Sequence, residues 1–191
     1  MTEEINRIKK KIKKVLDKER YQHTLGVAYT ACSMAMRYGE NPDRLFLAGI
    51  LHDCAKNIPN QEKYALCKKY KISLNETEKI APYLLHSKLG AYLAEHTYGI
   101  KDMEVLNAVR YHTTGRPGMS RIEKIIFTAD YIEPNRKNAP NLPEVRRLAF
   151  TDLDEAVVKI LDDTLEYLES GSRPIDPMTR MTYEFYLDYL D

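Results

Sequence analysis

Four histidines and two aspartates carry the chemistry this sequence can offer: His23, His52, Asp53, His86, His112 and Asp130. Each lies on or beside an apolar stripe of helical spacing, and several fall near a predicted helix end. Imidazole and carboxylate together suit iron, manganese, zinc and similar divalent ions. One inward histidine is ordinarily a satisfied core residue. Four of them with two aspartates are different, because their combined desolvation is large without a metal or a counter-charge. A helical core that receives such groups from several helices is a common frame for a two-metal site. Two ions about 3.5–4 Å apart generate a nucleophilic water and neutralise both attacking and leaving oxygens.

The pair His52-Asp53 is the centre of the set. The apolar run Leu45 to Leu51 precedes it, and Asn41-Pro42 opens that run as an N-cap with proline at the first helical position. This predicts a buried helix with a charged tip. Adjacent helical residues point about 100° apart, so His52 and Asp53 flank one point from two sides. Lys56 follows Asp53 by three residues and His52 by four, and Arg20 precedes His23 by three. Those spacings put both cations on the ligand faces, where they are candidate clamps for an anionic substrate. Thr113, Thr114 and Gly115 offer hydroxyls and permissive backbone to phosphate oxygens. Arg136 can close over an anionic substrate with bidentate geometry, a surface salt bridge being its alternative. Arg173 is a further substrate contact to set against a surface role. His96 is an internal control: ten residues after His86, it faces away from the His86 stripe.

The elements that must position these residues are helical. Ile5, Ile8, Ile12, Val15 and Leu16 recur at helical spacing. A second helix is predicted over about 19–38, with Gly39 as its C′ residue and His23, Val27, Thr30 or Ala31, and Met34 inward. Asn60 caps a short helix through Tyr70, and Asn75 with Glu78 matches a capping box. Pro82 opens a helix to about Tyr98, and Asp102 caps one that ends at His112. Ser120 with Glu123 matches another box, on the helix that carries Asp130 and stops at Glu133-Pro134. Helices around 144–150, 152–169 and from Pro177 complete the chain. No stretch alternates convincingly as a strand. The expectation is an all-α fold of about nine helices in one domain over 1–191. Its core spans 18–133, and the C-terminal helices 142–191 pack on it. Tyr183, Phe185, Tyr186 and Tyr189 pack the tail on the domain, with a homodimer as the other use of that face.

Composition narrows the classes. The 191 residues carry a net charge of +1, which gives no global pull towards nucleic acid or anionic membrane. The basic stretch Arg7 to Lys14 reads as a solvated helix face rather than an RNA patch. No run is long enough to span a bilayer, and the N-terminus is charged rather than signal-like. Cys32, Cys54 and Cys67 form no CxxC pair, the usage of a reduced, cytoplasmic protein.

The ordered set His23, His52-Asp53, Asp130 resembles the H…HD…D pattern of the HD-domain metal-dependent phosphohydrolases, over roughly residues 18–133. His86 and His112 match the branch with two metals. The segments Glu19 to Val27, His52 to Lys56, His112 to Gly115 and Ala129 to Arg136 resemble the bacterial YqeK family, as does Ile175 to Thr179, with Asp176 where histidine is frequent. That resemblance implies a symmetrical dinucleoside tetraphosphatase that cuts diadenosine tetraphosphate into two ADP with a di-iron centre. It implies that His23, His52, Asp53 and Asp130 hold one metal, and that Asp53 bridges to a second held by His86 and His112. Asp53 and Lys56 are then the catalytic pair, and ADP or GDP is the product ligand. The rivals are an HD phosphohydrolase acting on a cyclic nucleotide or a deoxynucleoside triphosphate, and a non-catalytic nucleotide-binding regulator. The complete ligand set argues against the regulator, which needs no activated water.

Overall fold

In the computed structural model, residues 2–190 are described, the side chains of Tyr189 and Leu190 excepted. The chain is all-α. Its helices are α1 (Glu3–Val15), α2 (Lys18–Tyr38), α3 (Pro42–Leu51), α4 (Asn60–Lys69), α5 (Glu76–Ile80) and α6 (Leu85–His96), with a 3-10 turn Pro82–Leu84 before α6. Then follow α7 (Met103–Tyr111), α8 (Arg121–Ile132), α9 (Leu142–Thr151), α10 (Leu153–Ser170) and α11 (Pro177–Leu190). Eleven α-helices among the described residues replace the nine expected. At Ala81 the backbone leaves the helical region, at φ −124°, ψ 66°. A residue before proline is pushed out of the α region, so α5 stops there and Pro82 starts a separate turn.

Local signals set most of the ends. Asn41 accepts from the backbone of Asp43 and Arg44 at the start of α3, and Asn75 and Glu78 complete their capping box on α5. Gly39 closes α2 at φ 71°, a conformation that glycine adopts without strain. At α8 the expected box is only half formed. Ser120 accepts from the Glu123 backbone, but the buried Glu123 carboxylate turns to the half-buried Arg116, 2.8 Å away. A full ion pair outcompetes a single backbone N–H for a buried carboxylate.

The helices α2 and α3 form the central pair. They touch at Gly49, where a Cβ would stand 2.6 Å from Ala28 Cα. On either side pack α7 and α8, with α6 against α7. One apolar cluster runs from Ile5, Ile8 and Ile12 of α1 through this centre to Tyr186 of α11. Each fully buried aliphatic side chain in it contributes about 1.5–3 kcal/mol. The C-terminal helices cover α8. Tyr186 is buried and its hydroxyl accepts from the Met119 backbone at 2.8 Å, while Phe185 stays exposed. Tyr189 lies outside the described side chains. No helix among the described residues is long and apolar enough to cross a membrane.

Candidate metal centre

The core geometry sends five chain segments to one point. His23 lies in the second turn of α2. His52 caps the C-terminus of α3, and Asp53 follows it. His86 is the second residue of α6, His112 caps α7, and Asp130 sits in the last turn of α8. All four histidines and Asp53 are buried. Asp53 is the hub. Its Oδ1 faces His86 Nε2 at 3.2 Å and His112 Nε2 at 3.6 Å. Its Oδ2 faces His52 Nε2 at 3.4 Å and His23 Nε2 at 3.8 Å. Asp130 Oδ1 joins the second group, 3.0 Å from His23 Nε2. One carboxylate thus divides its two oxygens between two pairs of imidazoles.

Each ring is aimed by its other nitrogen. Nδ1 of His52, His86 and His112 lies 2.7, 2.7 and 2.8 Å from the carbonyls of Gly49, Tyr83 and Val109, each three residues back. A carbonyl only accepts, so Nδ1 donates and the neutral ring turns the Nε2 lone pair inward. His23 differs. Its Nδ1 lies 3.2 Å from Glu133 Oε1, a carboxylate at the end of α8.

The donor set fits divalent metal. His23 Nε2, His52 Nε2 and Asp53 Oδ1 are buried with no hydrogen-bond partner of good geometry. His86 Nε2 and His112 Nε2 stand 3.0 Å apart, so two inward lone pairs face each other and call for a cation between or beside them. Burial and then the nearby Lys56 charge push the His86 imidazole down to about 4, which keeps it a neutral ligand at physiological pH. Burial pushes the Asp53 carboxyl up, but His52, His112 and His86 together hold it well below the usual carboxylate range. Asp130 behaves alike, with His23, His52 and Arg136 as the opposing groups. The positions His23, His52, Asp130 and His52, Asp53, His112 each bring three ligand atoms within metal-binding reach.

Three cations ring the carboxylates. Arg20 Nη1 donates to Asp53 Oδ2 at 2.9 Å, and Arg136 Nη2 to Asp130 Oδ1 at 2.9 Å. Lys56 Nζ lies 3.1 Å from His86 Nε2 and 3.8 Å from Asp53 Oδ1. A cleft of about 960 Å³ opens from His23, Asp130, His112 and Thr113 past Arg20 and Arg136 to Tyr131, Thr164 and Tyr167. Thr113 reaches towards the centre, 3.4 Å from His86 Nε2. Thr114 and Gly115 do not line that cleft. Thr114 donates to the Gly115 carbonyl, and Gly115, at φ 64°, packs on Thr182 of α11. Arg173 stacks on Tyr167 at 4.3 Å, at the outer edge of the cleft and away from the imidazoles. His96 is half exposed and stacks on Tyr92, as its helical phase requires.

Glu133 was not among the expected site residues. It is 2% exposed, yet its sequence signal is slight. The residue ends α8 three positions after Asp130, and its partner His23 lies 110 residues away. Gly26, one turn after His23, is the other half of the signal: a Cβ there would stand 2.3 Å from Glu133 Oε2.

Known proteins resemble this chain over most of its length. Residues 20–135 match the HD domain. The chain is 40% identical over 174 residues to the symmetrical bis(5'-nucleosyl)-tetraphosphatase of Bacillus subtilis (strain 168), which covers 91% of this chain and 92% of that one. It is 44% identical over 172 residues to the protein of the same name from Halalkalibacterium halodurans, covering 90% and 91%. A crystal structure from Clostridium acetobutylicum, described as a "predicted HD superfamily hydrolase involved in NAD metabolism", superposes with a TM-score of 0.93 at 35% identity. The match covers 96% of this chain and 97% of that one.

Proposed function

The chain belongs to the HD-domain family, and on that premise we propose that it hydrolyses dinucleoside tetraphosphates symmetrically, diadenosine tetraphosphate giving two ADP. The relatives named for that reaction span nine-tenths of the chain. The observation that carries the reading is Asp53, whose two carboxylate oxygens serve two separate imidazole pairs.

In this proposal His23, His52, Asp130 and Asp53 would hold one divalent ion, and Asp53, His86 and His112 would hold the other. The ions are iron, as the family resemblance implies and as an imidazole–carboxylate set accepts. Bound there, they supply hydroxide at neutral pH and neutralise charge on the attacking and leaving oxygens.

The remaining work belongs to the chain's own groups. Asp53 keeps the two ligand groups in one fixed relation, because its side chain is buried and addressed from both ends. Arg20 and Arg136 stand at the cleft wall with fork-shaped donors for phosphate oxygens. Lys56 carries its ammonium to the His86 side of the centre, where it stabilises charge on the departing ADP. The Thr113 hydroxyl is a further donor to phosphate. Tyr167, half exposed at the far end of the cleft, offers an aromatic face to a nucleobase. The proposed compartment is the cytoplasm, supported by three free cysteines, two of them buried.

Chromatography of the first products from diadenosine tetraphosphate tests the proposal. ADP alone supports it. Equal amounts of ATP and AMP place the cut one phosphate away and overturn it.

A further inference from the structure

Three of the four inward histidines are backed by neutral backbone carbonyls, and His23 alone is backed by a carboxylate. We propose that Glu133 is a positioning residue that makes the His23–His52–Asp130 position the tighter of two unequal metal positions. The inference rests on the ligand assignment above and deepens it.

The first argument is electrostatic. A carboxylate that accepts from Nδ1–H raises the basicity of the ring and strengthens Nε2 as a ligand. Glu133 is 2% exposed, so water screens its charge little. The other position has no such backing carboxylate. His86 and His112 lean on the carbonyls of Tyr83 and Val109, and the Lys56 ammonium lies 3.1 Å from His86 Nε2. Cations flank both positions, since Arg20 and Arg136 lie 2.9 Å from Asp53 Oδ2 and Asp130 Oδ1 of the first, so the backing groups are what distinguish the two. The ligand count points the same way: the first position draws on two imidazoles and two carboxylates, and the second on two imidazoles and one shared carboxylate oxygen.

The second argument is that Glu133 is held for this task. Its Oε2 accepts from the Asn135 backbone at 2.8 Å, which leaves Oε1 to His23. Its own carbonyl accepts from Arg136 N at 3.0 Å and from Arg146 Nη2 at 3.2 Å. On the facing helix Gly26 leaves the space, since a Cβ would stand 2.3 Å from Oε2. Glu133 also follows Asp130 by three residues on α8. One helix end therefore supplies both a ligand and the support of another ligand.

The test follows metal loss rather than turnover. Full-length protein is loaded with manganese(II), exposed to excess EDTA, and assayed over time for ions retained per chain. The wild type should lose one ion quickly and one slowly. Glu133→Gln keeps the hydrogen-bonding shape without the charge and should speed the slow phase about 10- to 100-fold, leaving the fast phase alone. Gly26→Ala, which removes no polar group and displaces the carboxylate, should do the same. His112→Ala should abolish the fast phase and keep the slow one. A general loosening of the fold would speed both phases and overturns the proposal, as does a slow phase unchanged in Glu133→Gln. Loss of both wild-type ions in a single phase overturns the inequality while leaving the two-metal assignment intact. A wild-type chain that takes up no ion overturns that assignment itself.

Discussion

Lys56 Nζ stands 3.1 Å from His86 Nε2, closer than it comes to the Asp53 carboxylate of its own segment, 3.8 Å away. An ammonium does not ligate a metal ion. Its place beside the imidazole is that of a charge held ready for an anion at the centre. Lys56→Met keeps the aliphatic stem and should lower kcat on the order of 10²-fold, as the loss of one charge-stabilising donor does, while metal content stays near the wild-type value. Arg20→Ala should chiefly raise KM, with the metal likewise retained. Measuring ions per chain beside the kinetics decides the matter. Loss of metal in a folded Lys56→Met protein would contradict the phosphate role.

His112 and His96 provide a matched pair. His112 is 4% exposed and faces Asp53 Oδ1, whereas the exposed His96 stacks on Tyr92 of α6. His112→Ala should reduce bound metal from two ions to one and take activity down by several orders of magnitude. His96→Ala should leave both unchanged. Elemental analysis of protein purified without chelator, together with the assay, checks the contrast. Equal metal content in the two variants would remove His112 from the ligand set.

The convergence of the six candidate residues could be read from the sequence because each of them is reported by local pattern. His52-Asp53 ends an apolar helix that Asn41 opens, and His112 ends one that Asp102 opens. Helix ends are written in neighbouring residues, and the inward phase of His23 and His86 follows from helical spacing. Glu133 escaped that kind of reading. Its contact with His23 joins α2 to the end of α8, and no local rule relates residues so far apart. The same reason explains Gly115. Its positive φ is a turn property visible in the sequence, but the surface it faces, Thr182, comes from α11. The failed half of the Ser120 capping box has a similar cause, since the competing Arg116 lies across a turn and not in the helix.

The contact of α2 with α3 makes a stability prediction. At Gly49 a methyl group would meet Ala28 Cα at 2.6 Å, and backbone cannot step aside as a flexible side chain can. Gly49→Ala should cost about 1–3 kcal/mol through overpacking and lower Tm by several degrees. Gly90, in α6, is the control. Its added Cβ would find Cys54 Sγ and Val109 Cγ1 at 3.5 Å, ordinary contact distance. Gly90→Ala should therefore be neutral or gain up to about 1 kcal/mol from helix propensity. Thermal unfolding of the two variants gives the comparison, and a Gly49→Ala protein as stable as Gly90→Ala would mean that the two helices pack less closely than described.

The last prediction concerns how the site counts phosphates. Arg20 and Arg136 are anchored to Asp53 and Asp130, on the wall of the cleft that leads to Tyr131 and Tyr167. A nucleoside seated at the far end and two phosphates held by these forks would bring the second phosphorus to the same place whatever lies beyond it. The register is then measured from the bound nucleoside and not from the middle of the chain. Diadenosine tetraphosphate should give ADP alone. Diadenosine pentaphosphate should give ADP and ATP in equal amounts, and diadenosine triphosphate, if cut, ADP and AMP. Chromatography of initial products from diadenosine hexaphosphate separates this from a site that centres on the whole polyphosphate, since the fixed register gives ADP with adenosine tetraphosphate and the centred site gives ATP alone. Adenosine tetraphosphate with AMP from the pentaphosphate would show that the arginine forks do not set the register, even if the tetraphosphate is cut at its centre.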